Sequence, residues 1–198
     1  VVNSVVETKD ICRPVKGMGS LMGAPGLRYR NPMWNGEEVK ATHELMGRVE
    51  SRAGDFYITE PDEEQIEESR KISGVDPEKV FVVFGEEEVT EGIFEIDVFA
   101  DPGREITIGV YSSRLPKQVY VSDETNPPRD WNGENVNPFL WRIKDGISTF
   151  EEKAFPHYIQ LSACAKAELK IGEFNQFRYE ADGKRMLLYL NGKLLHEA

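Results

Sequence analysis

Turn signals recur through the second half of this chain about every 8–15 residues, and short apolar or alternating runs fill the gaps between them. The closing stretch, RYEADGKRMLLYLNGKLLHEA, shows the pattern most compactly: a strand, an ADGK turn, a second strand, an LNGK turn and the start of a third strand. Upstream, VFVVF is a continuous apolar run. IFEIDVF alternates, with Phe94, Ile96 and Val98 on one side and Glu95, Asp97 and Phe99 on the other. DPGR then turns the chain into EITIGVY, followed by QVYVS, FLWRI, HYIQL and FNQFRYEA. So many short strands with one helical pattern predict an all-β antiparallel sandwich or barrel, and exclude alternating β and α units.

The helix is expected within TEPDEEQIEESRKISG. Asp62 and Gln65, three apart, read as an N-cap and its reciprocal partner. Acids crowd the first turn, Arg70 and Lys71 the last, and Gly74 is the stop. Residues 1–54 are rich in Gly and Pro (KGMGSLMGAPG, YRNPMWNGEE) and read as an irregular wrapping segment, with VVNSVVE a candidate edge strand. GMGSLMG lacks the GK[ST] ending of a phosphate loop. The predicted division is a wrapping segment over 1–54 and a β-sandwich over 55–198.

The net charge of −11 argues against nucleic acid and anionic membrane surfaces as partners, since both select Lys and Arg. No run approaches a membrane span. Cys12 and Cys164 form no CxxC motif; LSACAKA places Cys164 in an apolar context and predicts a buried free thiol, with a Cys12–Cys164 disulfide left open. Trp141 in FLWRI reads as core. His43, His157 and His196 are scattered, and no Ser or Cys with a partner Asp stands beside them to suggest a nucleophilic triad.

GEFNQFRYEADGKRMLLYLNGKLLHE is similar to the late strands of concanavalin A-like, or laminin G-like, jelly-roll domains, and EGIFEIDVFADPGREITIGVYSS resembles their sheet-forming strand pair. The resemblance covers residues 79–198. It implies a jelly-roll β-sandwich of the kind found as accessory modules in glycoside hydrolases (arabinofuranosidases among them), as lectins and as lyases, and hence an oligo- or polysaccharide ligand. Such domains complete their sheet with a strand after the NGK turn. Here that strand is expected from VVNSVVE or from another part of a longer chain, whose other domains are then candidate partners.

Three constellations could carry chemistry. One family of jelly-roll glycosidases bears E-I-D-x-x-E, and Glu95 and Asp97 match its first two positions, their Cα atoms roughly 6.6 Å apart along a strand. Phe99 and Ala100 stand where the acid/base Glu would be, so a second carboxylate, such as Glu180 on a neighbouring strand, would have to supply it. The loop TNPPRDWNGENVNPFLW offers Trp131 as a stacking platform for a sugar ring, with Arg129, Asp130, Asn132 and Asn137 as hydrogen-bonding groups. The same loop offers Asp123, Glu124, Asn126 and Asp130 as oxygen ligands for the structural calcium that jelly-roll domains often hold, without a DxDxDG pattern. The leading expectation is a non-catalytic carbohydrate-binding module. The alternatives are a catalytic glycosidase or lyase and a purely structural interaction domain.

Overall fold

The computed structural model describes residues 19–70, 78–85, 91–110, 139–154, 157–182 and 184–198. Two antiparallel sheets pack face to face, with one short helix on the outside: an all-β sandwich. The strands are β1 (Gly19–Gly23), β2 (Leu27–Trp34), β3 (Glu37–Glu38), β4 (Ala41–Met46), β5 (Val49–Arg52), β6 (Asp55–Ile58), β7 (Val80–Phe84) and β8 (Gly92–Phe99). There follow β9 (Ile106–Val110), β10 (Phe139–Lys144), β11 (Ile147–Ala154), β12 (His157–Gln160), β13 (Ala165–Lys166), β14 (Phe174–Ala181), β15 (Met186–Leu190) and β16 (Lys193–Glu197). The first sheet runs β12-β11-β10-β9-β1-β7-β4, with β13 on β11; the second runs β16-β15-β14-β8-β2-β6-β5, with β3 on β2.

The expectation of an irregular segment over 1–54 is corrected from residue 19 onward. β1 lies between β9 and β7 inside the first sheet, and β2 lies between β8 and β6 inside the second. These strands hide from a sequence reading for physical reasons. Gly19 sits in β1 because a Cβ there would meet the Phe94 ring at 2.7 Å, so a core ring fills the space of a side chain. Pro32 interrupts the β2 pattern at a bulge between Arg30 and Met33. VVNSVVE, QVYVS, Cys12 and Gly74 lie outside the described residues.

Hairpin geometry follows turn chemistry. Asn35-Gly36, Asp145-Gly146 and Asn191-Gly192 all have positive φ at both positions, as a two-residue turn matching strand twist requires. Ala53-Gly54 adopts the same turn with φ of 51° and 87°, although Ala53 carries a Cβ. At the ADGK turn, Asp182 Oδ1 accepts the backbone N–H groups of Lys184 and Arg185 at 2.9 and 2.8 Å.

The core lies between the sheets. Leu21, Val82, Phe84, Ile108, Trp141 and Phe150 come from the first; Tyr29, Phe94, Ile96, Val98, Phe177 and Tyr179 come from the second. Rings interlock across the gap: Trp141 edge-on to Phe177 at 5.0 Å, Tyr29 edge-on to Phe84 at 5.3 Å. The sequence reading of Trp141 as core therefore holds, and Trp34 joins it, packed over Gly92.

The sheets differ on their outer faces. In the first, the outward positions Ser20, Val83, Thr107 and Leu140 are buried, and a second apolar cluster of Met46, Phe81 and Val83 lies under Ile66 of the helix. That helix, α1 (Glu63–Arg70), starts as the sequence predicts: Gln65 N–H donates to Asp62 Oδ1 at 2.8 Å and Gln65 Oε1 accepts from Asp62 N–H at 3.3 Å. Gln65 also clamps the helix to the sheet, accepting from Gly47 N–H and donating to the Glu44 and Gly47 carbonyls.

Candidate functional site

The outward face of the second sheet is only half-buried, and its residues are ordered by one another. β8 supplies the frame, because its period of two turns Phe94, Ile96 and Val98 into the core and Glu95, Asp97 and Phe99 outward. Register then aligns neighbours in rows. Arg30, Asp97 and Gln176 form one row, and Met33, Glu95, Arg178 and Tyr189 the next.

Glu95, Asp97, Arg178 and Glu180 each hydrogen-bond to a partner. Arg178 bridges two carboxylates, donating through Nε to Glu180 Oε1 at 2.6 Å and through Nη1 to Glu95 Oε1 at 3.2 Å. Desolvation alone would pull its pKa down; the bonds and charges of Glu180 and Glu95 outweigh this and raise it. Asp97 Oδ2 accepts from Asn31 Nδ2 at 2.9 Å and lies 3.6 Å from Arg30 Nε. Asn31 reaches it from the β2 bulge, at a φ of 51°. Left-handed backbone at a non-glycine residue costs about 1–3 kcal/mol, and here it accompanies a side chain aimed at a half-buried carboxylate.

One corner of the face interleaves arginines and aromatic rings. Arg52 and Arg28 flank Tyr57, Arg28 also lies 5.0 Å from the Phe99 and Phe174 centroids, and Arg30 stands over Phe174 at 4.0 Å. At the opposite end a cleft of about 550 Å³ opens between Asn35, Ile93, Glu180, Asp182 and Arg185.

These positions decide part of the sequence reading. Glu95 and Asp97 do share one outward face, as the alternation implies. Where the motif would need an acid/base glutamate, Phe99 packs edge-on to Phe174 and Ala100 is buried. Glu180 does approach Glu95, but with the Arg178 guanidinium between them. Arg30, Asn31, Gln176 and Arg178 were not foreseen, because only register brings them beside Glu95 and Asp97. The loop candidates Trp131, Arg129, Asp130, Asn132 and Asn137, and the calcium candidates Asp123, Glu124, Asn126 and Asp130, lie outside the described residues. Among the described residues no group of three or more His, Cys, Asp or Glu side chains is arranged to hold a metal, and no helix is long and apolar enough to cross a membrane.

Two further expectations change. Cys164 is exposed, not buried: beyond the two-residue β13 its segment is irregular, so the apolar LSACAKA run has no sheet face to cover it. His196 does have serine neighbours. Its Nε2 is 2.7 Å from Ser148 Oγ and its Nδ1 is 2.6 Å from Ser162 Oγ, while Trp141 Nε1 donates to Ser148 Oγ at 2.8 Å. Ser148 and His196 are 0% and 2% exposed, so no substrate reaches the hydroxyl and the chain of bonds ties the two sheets together. Burial lowers the His196 pKa.

The class defined by these observations is an antiparallel β-sandwich with one covered sheet and one sheet that presents an ordered polar and aromatic face. Set against known proteins, the chain matches no family model, no curated protein and no solved structure.

Proposed function

We propose that this chain is a non-catalytic carbohydrate-binding module, a sandwich of the concanavalin A-like jelly-roll type of the kind that accompanies glycoside hydrolases. The observation that carries the reading is the outward face of the second sheet. Its planar groups pair, Asn31 with Asp97 and Arg178 with Glu95, beside an exposed Gln176, and Tyr57, Phe174 and Tyr189 lie on the same face. Sugars present hydroxyls at fixed spacing and apolar C–H faces, and a rigid array of planar donors and acceptors beside rings suits both. The antiparallel order of both sheets and the resemblance of residues 79–198 agree with it.

A binding role fits better than hydrolysis. Arg178 lies between Glu95 and Glu180 and hydrogen-bonds to both, so it fills the gap in which a pair of catalytic carboxylates would have to hold a glycosidic bond. The loop around Trp131 remains part of the proposal as a second set of contacts. A glycan array followed by calorimetry tests the reading. Binding to at least one polysaccharide is expected, weakened about tenfold by Asp97→Ala through loss of a charged hydrogen-bonding group. A folded protein that binds no glycan would sink it. If Trp131→Ala abolishes binding while Asp97→Ala does not, the loop is the site and the sheet face is not.

A further inference from the structure

We infer that Arg30 forms an oxyanion subsite on this face, which takes the carboxylate of a uronic acid residue; the inference rests on the carbohydrate-binding reading and names the class of glycan. The corner holds three arginines, and two of them are committed. Arg28 donates to Asp55 through Nε at 2.9 Å and again through Nη2, and Arg52 donates to Glu50 through Nε and Nη2 at 3.1 and 2.6 Å. Arg30 differs. Its side chain is 45% exposed, its nearest carboxylate is 3.6 Å away, and among the described residues its guanidinium makes no hydrogen bond.

Asn31 donates to Asp97 Oδ2 at 2.9 Å, whereas Arg30 Nε stays 3.6 Å from the same oxygen. The bulge residue thus makes the hydrogen bond to this oxygen, and Arg30 keeps an ion-pair contact only. Meanwhile Phe174 holds Arg30 in place, its ring centroid 4.0 Å from the guanidinium carbon. A held guanidinium with open N–H groups is a bidentate receptor for a planar carboxylate, and less ordering is lost when the ligand arrives. Gln176, opposite Asp97 in the same row and exposed, is placed to meet a neighbouring hydroxyl. The chain's net charge of −11 repels polyanions at long range. The subsite therefore suits isolated uronate residues in a mostly neutral glycan better than a fully charged polymer.

The test compares xylo-oligosaccharides bearing a single glucuronic acid branch with their methyl esters by calorimetry, in wild type, Arg30→Gln and Arg30→Lys, with thermal melting confirming that each variant is folded. Wild type should prefer the free acid by about tenfold, and the preference should shrink as salt rises. Arg30→Gln should erase the preference for acid over ester; Arg30→Lys should keep only part of it. Equal affinity for acid and ester, a preference that survives in Arg30→Gln, or binding of neutral glycans alone would overturn the subsite and leave the carbohydrate-binding reading standing. Failure to bind any glycan would overturn both.

Discussion

Ala53 occupies a backbone conformation that belongs to asparagine or glycine. Its φ of 51° equals that of the asparagines at the other two-residue turns to within a few degrees, yet it has no side chain to make the local bonds that offset the cost. Ala53→Asn should therefore stabilise the protein by about 0.5–1 kcal/mol, read as a rise of about 2 °C in melting temperature. His196 makes the opposite kind of statement, about pH. Its folded pKa is lowered by burial, so below the ordinary value near 6.5 the unfolded chain binds the proton more readily. Its contribution to stability is intact above pH 6.5 and is lost as pH falls from there to the lower folded value. Denaturant melts of wild type and His196→Gln at pH 7.5 and 5.5 should show the wild type losing more stability on acidification; equal losses would mean that the imidazole is not the group responsible. Neither residue could be assigned this role from sequence. The turn dipeptide AG gives no hairpin signal, and Ser148 and Ser162 lie 48 and 34 positions from His196.

Elements were legible in proportion to how much of their structure their own residues determine. The strands from β7 to β9 and β14 to β16 announce themselves through alternation and NG or DG turns, and α1 through its reciprocal cap. β1 and β2 do not, because what fills β1 is the Phe94 ring of another strand and what breaks β2 is a bulge that places Asn31. The candidate site was half-legible for the same reason: Glu95 and Asp97 follow from one strand, while Arg178, Asn31 and Arg30 require the register of three. The join between α1 and the first sheet rests on Gln65. Its carboxamide satisfies the N–H and C=O of Gly47, a residue whose φ of 89° and 2.4 Å Cβ clearance to the Thr59 carbonyl exclude a side chain. Gln65→Ala strands these buried groups and should cost about 2–3 kcal/mol. Gly47→Ala should cost at least as much, through a clash that repacking cannot relieve. Chemical denaturation measures both; a loss below about 0.5 kcal/mol for Gln65→Ala would show that solvent replaces the clamp.

At the scale of the whole molecule, the sheets are held by rings that interlock and by one buried polar chain. Trp141 belongs to both, edge-on to Phe177 and hydrogen-bonded to Ser148. Trp141→Ala should cost about 3–5 kcal/mol, enough to unfold a marginal sandwich, whereas Trp141→Phe should cost less and still leave the Ser148–His196 pair formed. The two sheets, however, do not bear equal constraint. Side chains on the first are fixed from both sides, by the core and by what covers Ser20, Val83 and Leu140. On the second, positions 30, 95, 97, 176 and 178 meet one another, solvent and other residues of the same outward face (Asn31, Phe174 and Glu180), while the inward positions between them belong to the core. Surface chemistry and foldability are thereby written in alternating letters of the same strands. A combinatorial library at those five positions should yield a large fraction of folded members, counted by thermal melting, and natural divergence in this scaffold has the same freedom to change its outer face without having to rediscover how to fold.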